Sequence, residues 1–191
     1  MSRIAAVLLG AVLLAGCTTG EGAVDVANGG EFRFVAATPS GEVIPEADRA
    51  SAPEFSGTLL ETGREWESST LAGQVGVLNF WGSWCAPCRV ETPEFSEVWD
   101  DYSAAGVQFL GINVKETDQQ FAQAFIDRFG IGFPSLYDPR GEVALAFRDY
   151  PANAVPSTIV IDPEGRVAAV YTGEVSQENL RRVIDRVLEE A

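Results

Sequence analysis

The stretch Asn79-Phe80-Trp81-Gly82-Ser83-Trp84-Cys85-Ala86-Pro87-Cys88-Arg89-Val90-Glu91-Thr92-Pro93 decides how this chain is read. It begins inside a short apolar run, Val75 to Trp81, of the kind that forms a buried central strand. Past the Cys85-Ala86-Pro87-Cys88 turn, Arg89 to Ala104 reads as a helix. Two intervening residues let both sulfurs meet in a disulfide at the helix start. The first cysteine then lies beside free backbone N–H groups and the positive end of the helix dipole. Both favour thiolate over thiol, so a depressed pKa is expected at Cys85. Thiolate is the attacking species in disulfide exchange. Cys85 is the expected nucleophile; Cys88, one turn in and more buried, is the expected resolving thiol. Pro87 stiffens the first turn without forfeiting a needed hydrogen bond.

Two other readings of the pair stand beside redox exchange. A zinc site lacks a second ligand pair, because the chain holds only three cysteines and no histidine. A purely structural disulfide closing so small a loop would constrain the unfolded chain little. Redox exchange is the stronger reading. The absence of histidine also removes Ser-His-Asp and Cys-His catalysis.

Outward from this segment, strand and helix patterns alternate from about Pro53. Val107 to Val114 reads as a second buried strand and Gln119 to Phe129 as a helix. Leu136-Tyr137 and Val143-Ala144-Leu145 fit strand or helix around an Asp138-Pro139-Arg140-Gly141 turn. Thr158 to Ile161 and Val167 to Tyr171 form an antiparallel hairpin across Asp162-Pro163-Glu164-Gly165. Gln177 to Glu190 is an amphipathic helix with Leu180, Val183, Ile184 and Val187 on one face. Such an order describes a central sheet covered by helices on both sides. An apolar content of 46% over 191 residues is enough for a sizeable core. The formal net charge is −15, which argues against binding nucleic acid, or anionic lipid through a basic patch. No cofactor or metal is expected, and a monomer is.

The N-terminus reads as an address. Met1 to Arg3 carry one positive charge, and Ile4 to Leu14 form an apolar run too short to span a bilayer but suited to a signal-peptide core. Leu14-Ala15-Gly16-Cys17 follows and looks like a bacterial lipobox. By that likeness residues 1–16 are a lipoprotein signal peptide, and Cys17 becomes the acylated N-terminus. More than one acyl chain gives stable attachment. An ordinary cleaved signal with a chance cysteine is the alternative. Residues 17–52, rich in Gly, Ala, Glu and Pro, are expected to be a tether. It carries one strand-like stretch, Phe32 to Val35, and room for a small hairpin closed at Pro39-Ser40-Gly41.

The segment Asn79 to Pro93 closely resembles the TlpA/ResA-like branch of the thioredoxin superfamily, and the likeness covers about Pro53 to Ala191. It implies an α/β thioredoxin-like fold: a central mixed β-sheet flanked by helices, with that branch's helix-and-strand insertion over Lys115 to Pro139. Pro93 falls where thioredoxin-like proteins kink this helix; a mid-helix proline costs ~3 kcal/mol and should have a reason. Ala154-Val155-Pro156-Ser157-Thr158 falls where the superfamily carries a cis-proline facing the cysteines. By resemblance Pro156 is that residue; without it, cis and trans stand about even. The backbone groups of Val155 would then pair with an extended substrate strand.

Asn79, six residues before Cys85, occupies the position where thioredoxin has a buried acid. The proton-handling carboxylate must lie elsewhere. Glu91, one turn beyond Cys88, matches the glutamate of ResA-like proteins. Partial burial would raise its pKa and let it exchange a proton with Cys88. A solvated helix-surface glutamate is the competing picture. Trp84 is expected exposed beside Cys85, in contact with substrate, and Trp81 packed.

The expected activity is extracytoplasmic thiol–disulfide exchange with exported cysteine-containing proteins, at the outer face of the cytoplasmic membrane. The leading expectation is a reductant, with apocytochrome c as substrate and a membrane thiol-electron donor as its source. An oxidase or isomerase for secreted proteins is the second reading, and a redox-inactive binding lipoprotein is the different-class alternative. A peroxidase is disfavoured because no upstream peroxidatic cysteine exists.

Overall fold

The computed structural model describes residues 41–191. The expected signal peptide over residues 1–16, the expected lipidation site Cys17, the strand-like stretch Phe32 to Val35, and Pro39 and Ser40 of the expected hairpin lie outside the described residues.

At the centre lies β3 (Gly76–Trp81), whose six residues are all buried because helices cover both faces. β4 (Gln108–Val114) pairs with it in parallel, from Gly76↔Gln108 to Trp81↔Asn113. On its other side β6 (Ser157–Ile161) runs antiparallel, with Phe80 opposite Ser157 and Gly76 opposite Ile161. β6 continues into β7 (Val167–Thr172) through the expected hairpin. Beyond β4 lies β5 (Ser135–Asp138), parallel to it, and then β1 (Ser56–Leu59) and β2 (Glu65–Glu67), both antiparallel. The sheet order is β2-β1-β5-β4-β3-β6-β7. This is the thioredoxin-like mixed sheet.

Alternation along β3 divides the core. Val77 points with Phe109 and Val160 toward α1 (Cys88–Tyr102) and α4 (Gln177–Glu190), meeting Phe95, Val98, Leu180, Val183 and Ile184. Leu78 and Phe80 point the other way, with Leu110, Ile112 and Leu136, toward α3 (Glu142–Ala146) and Phe147. The Phe80 and Phe147 rings meet edge to face at 5.9 Å. α2 (Gln119–Phe129) lies between β4 and β5 and buries Ala122, Phe125 and Ile126. With β5 it makes up the insertion expected between Lys115 and Pro139.

Asp138 resolves the strand-or-helix ambiguity after Leu136. Its carboxylate accepts the N–H groups of Glu142 at 2.7 Å and Val143 at 2.9 Å, so β5 ends there and Val143 to Leu145 become helical. Glu94 does the same for α4, accepting Gln177 N–H at 2.8 Å beside the Ser176 cap. α1 continues through Pro93 to Tyr102.

One boundary moves. Residues up to about 52 read as tether, yet the described part of that segment belongs to the folded body. Ile44 N–H donates to Ala168 O at 2.7 Å, Val167 N–H to Ala50 O at 2.8 Å, and Ala52 N–H to Gly165 O at 2.8 Å. The segment thus occupies the free edge of β7, whose backbone groups need partners. Its small and charged residues carry no periodic apolar signal. Arg49 fastens it: the side chain is 1% exposed, donates to Ile44 O at 2.8 Å and to Asp162 Oδ2 at 3.1 Å, and pairs with Glu190 near the C-terminus. Without Arg49, Asp162 keeps Arg166 Nε at 2.8 Å and Glu190 keeps Arg186 Nε at 2.7 Å, so what is lost is the set of bonds that ties Ile44 to them. Arg49→Met is expected to cost about 2 kcal/mol, read as a lower urea midpoint at unchanged m-value. A loss below about 1 kcal/mol, the surface-pair range, would show the clamp to be incidental.

Candidate active site

β3 delivers the chain to the end of the sheet where the parallel strands have their C-termini, the usual place for sites in α/β folds. Gly82 to Pro87 form the turn, closed by Cys85 N–H donating to Gly82 O at 3.1 Å. Cys85 and Cys88 are joined in a disulfide. Cys88 is the first residue of α1, and its N–H donates to Cys85 Sγ at 3.2 Å. The outer sulfur therefore already holds one of the unpaired N–H groups of the helix start, the contact that stabilises a thiolate after reduction. Cys85 is 3% exposed and Cys88 0%. The structure places Trp84 at 47% exposure, its indole N–H donating to Val114 O at 3.2 Å. Gly82 makes this possible: a Cβ there would lie 2.5 Å from Trp84 Nε1. Trp81 is buried and stacks on Phe125 at 4.8 Å.

Glu91 is not on the helix surface. It is 1% exposed and shares the buried face of α1 with Cys88, Thr92, Phe95 and Val98. Asn79 Nδ2 donates to its Oε1 at 2.9 Å and also to Thr158 Oγ1 at 3.3 Å. Val175 N–H donates to Oε2 at 3.3 Å. Burial pushes the Glu91 carboxyl up to about 7; the bonds from Asn79 and Val175 oppose that rise, and nearby Glu174 and Glu94 add to it. A residue titrating near neutrality, inside the protein and one turn from a cysteine, suits proton exchange.

Val155–Pro156 is a cis peptide bond. Val155 packs against the cluster that contains Cys85, Cys88 and Trp81. Pro156 is buried directly before the Ser157↔Phe80 pair, and its carbonyl accepts Gly173 N–H at 2.8 Å. The tertiary structure thus brings Cys85, Cys88, Trp84, Glu91 and Val155 to one end of the sheet.

The sequence reading missed Glu116. This carboxylate, 6% exposed, accepts Ser83 N–H and Ser83 Oγ–H, both at 3.0 Å, in the turn that leads to Cys85. Its neighbour Lys115 has φ 54° and donates to Asn153 O at 3.2 Å. The available signal was two charged residues placed directly after a buried parallel strand, at the end where sites gather. A groove of about 580 Å³ bordered by Phe55, Ser69, Leu71 and Pro163 lies at the other end, beside the start of β3, and takes no part in this arrangement.

A mixed sheet of this order with a disulfide at the start of α1 defines a thioredoxin-like thiol–disulfide oxidoreductase. Comparison with known proteins gives the same class and narrows it. The chain belongs to the AhpC/TSA family, whose profile matches residues 49–170, and within it resembles the proteins called thiol–disulfide oxidoreductase ResA. The Geobacillus thermodenitrificans ResA is 34% identical over 138 residues, covering 72% of this chain and 76% of the relative. The Bacillus subtilis ResA is 33% identical over 132 residues, covering 69% and 70%. Among solved structures, a secreted thiol–disulfide isomerase from Corynebacterium glutamicum superposes with a TM-score of 0.74 at 35% identity, covering 78% of this chain and 92% of that one. A DsbF homologue from Corynebacterium diphtheriae gives 0.72 at 36% identity, covering 77% and 92%.

Proposed function

We propose that this protein reduces disulfides in exported proteins, with Cys85 attacking, Cys88 resolving and Glu91 exchanging the proton. The observation that carries the chemistry is the Cys88 N–H donating to Cys85 Sγ at the helix start. In the reduced protein the Cys85 thiolate attacks one substrate sulfur. The substrate S–S bond breaks, a mixed disulfide forms, and the leaving thiolate takes up a proton. Cys88 then gives its proton to the Glu91 carboxylate and attacks Cys85 Sγ. The second substrate sulfur leaves as a thiolate and takes up the proton that Glu91 releases, so the substrate departs as a dithiol and the protein is left as the disulfide described above. The backbone of Val155, beside Pro156, receives the substrate strand, and Trp84 contacts it. Cys17, acylated after removal of residues 1–16, holds the domain at the outer face of the cytoplasmic membrane. A membrane thiol carrier returns two electrons per cycle, and apocytochrome c is the favoured substrate by likeness to the ResA branch. The likeness to a secreted protein from Corynebacterium glutamicum supports an extracytoplasmic setting. No helix among the described residues is long and apolar enough to cross a membrane.

A second reading, disulfide formation or isomerisation in secreted proteins, is favoured by that same relative, described as an isomerase. Reduction potential separates the two. Equilibration with glutathione is expected to give about −270 mV for the reductant, as in thioredoxin, whereas about −120 mV would assign the oxidant.

A further inference from the structure

Two loops wall the disulfide, and one residue pair holds both. The turn through Ser83 presents Cys85; the loop from Asn153 to Pro156, whose Val155 packs against the cluster that holds both cysteines, forms the other wall. Glu116 accepts both polar hydrogens of Ser83, and its Oε2 also accepts Asn113 Nδ2 at 3.3 Å, from β4. Charge-assisted bonds of this kind are stronger than neutral ones, and a nearly buried carboxylate depends on all its donors. Lys115, the only lysine of the chain, reaches the other wall through Asn153 O. Its left-handed backbone, directly after β4, breaks the strand alternation, so that Glu116 returns to Asn113 and Ser83 while Lys115 reaches the other loop. Non-glycine residues rarely adopt this conformation, and it persists where surroundings over-determine it, often at functional sites.

We infer that Lys115–Glu116 is a positioning pair that sets the gap between the sulfur-bearing turn and the substrate-bearing loop, and thereby makes the site selective for polypeptide over small disulfides. The inference rests on the exchange reaction proposed above, with Cys85 attacking and Val155 receiving substrate. A polypeptide must touch both walls at once, so an error in their spacing weakens its docking. A small disulfide meets only the sulfur. Neither residue touches the reacting atoms; they act through Ser83 and Asn153.

The test uses the reduced protein with two substrates, a peptide carrying an oxidised Cys-X-X-Cys and the small hydroxyethyl disulfide. Glu116→Ala is expected to raise the peptide KM about tenfold or more, the size of effect a misplaced wall produces, with a smaller change in kcat. Glu116→Gln keeps the shape, and the Ser83 hydroxyl can turn round to accept from the amide, so KM should return to within about threefold of wild type. Lys115→Asn tolerates the left-handed backbone but is too short to reach Asn153, and should raise peptide KM about fivefold. In both loss variants the preference for peptide over hydroxyethyl disulfide falls. Equal losses on both substrates, an unmoved KM, or Glu116→Gln behaving like Glu116→Ala would each overturn the positioning role. If Glu116→Ala does not fold, Lys115→Asn decides the matter: an unmoved KM there overturns the inference. A wild-type protein that never reacts with the peptide would instead overturn the exchange reading itself.

Discussion

Cys85→Ser is expected to abolish exchange, with a loss on the order of a thousandfold or more, whereas Cys88→Ser should complete the first half-reaction and stop there. Cys85 Sγ is the sulfur that receives the helix-start N–H, and it is the less buried of the two at 3% against 0% exposure. A hydroxyl at that position is not ionised near neutral pH, so the same N–H has no anion to stabilise. The remaining thiol, Cys88, is sealed beneath. Cys88→Ser retains the Cys85 thiolate that attacks, but has no second thiol to displace the substrate sulfur from the mixed disulfide. Insulin reduction measures the first variant; non-reducing electrophoresis and mass spectrometry of a trapped peptide adduct measure the second. An adduct on Cys88 in the Cys85→Ser protein would reverse the assignment of roles.

Glu91→Gln should alter both stability and pH dependence, in a direction that burial dictates. The folded-state carboxyl titrates at about 7 against an ordinary value of 4.5, because burial disfavours its charged form. A group whose folded pKa is raised contributes stability that is complete below the unfolded value and is lost as pH rises through the folded one. The oxidised wild-type protein should therefore lose stability relative to Glu91→Gln between about pH 4.5 and pH 8, by up to about 3 kcal/mol. Urea unfolding of both proteins at pH 5 and pH 8 reads this difference. The amide cannot accept a proton from Cys88, so resolution should slow about a hundredfold and its pH profile should lose the inflection near 7. A stability gap that stays constant with pH would remove the buried ionisation from Glu91; an unchanged pH profile would remove Glu91 from the mechanism.

Much of this architecture is legible in the chain because it rests on local periodicity and spacing. The mainly apolar run before Gly82, broken only by Asn79, reads as a strand covered on both faces, and β3 is that strand. Leu180, Val183, Ile184 and Val187 recur at helical spacing and form the buried face of α4. Cys85 and Cys88 stand where a strand pattern becomes a helix pattern, a junction that decides the chemistry before any coordinates. The hairpin β1–β2 left no comparable trace. Its strands, Ser-Gly-Thr-Leu and Glu-Trp-Glu, are short and half exposed, held by pairing with β5 rather than by propensity. Residues 41–52 left none either, because they dock through backbone bonds to β7 and one arginine clamp.

The sequence by itself determined that two sulfurs share a strand-to-helix turn, and from that alone the reaction class followed. Only the tertiary structure decided what surrounds them. Glu91 could have faced water or protein; the packing of α1 on the sheet buries it, and that burial lifts its pKa against the bonds from Asn79 and Val175. Glu116 and Lys115 belong to no periodic pattern, and their place after β4 does not name their partners; Ser83 and Asn153 lie 33 and 38 residues away. Periodicity is a property of neighbours in the chain, whereas charge, burial and positioning depend on which distant segments the fold brings into contact.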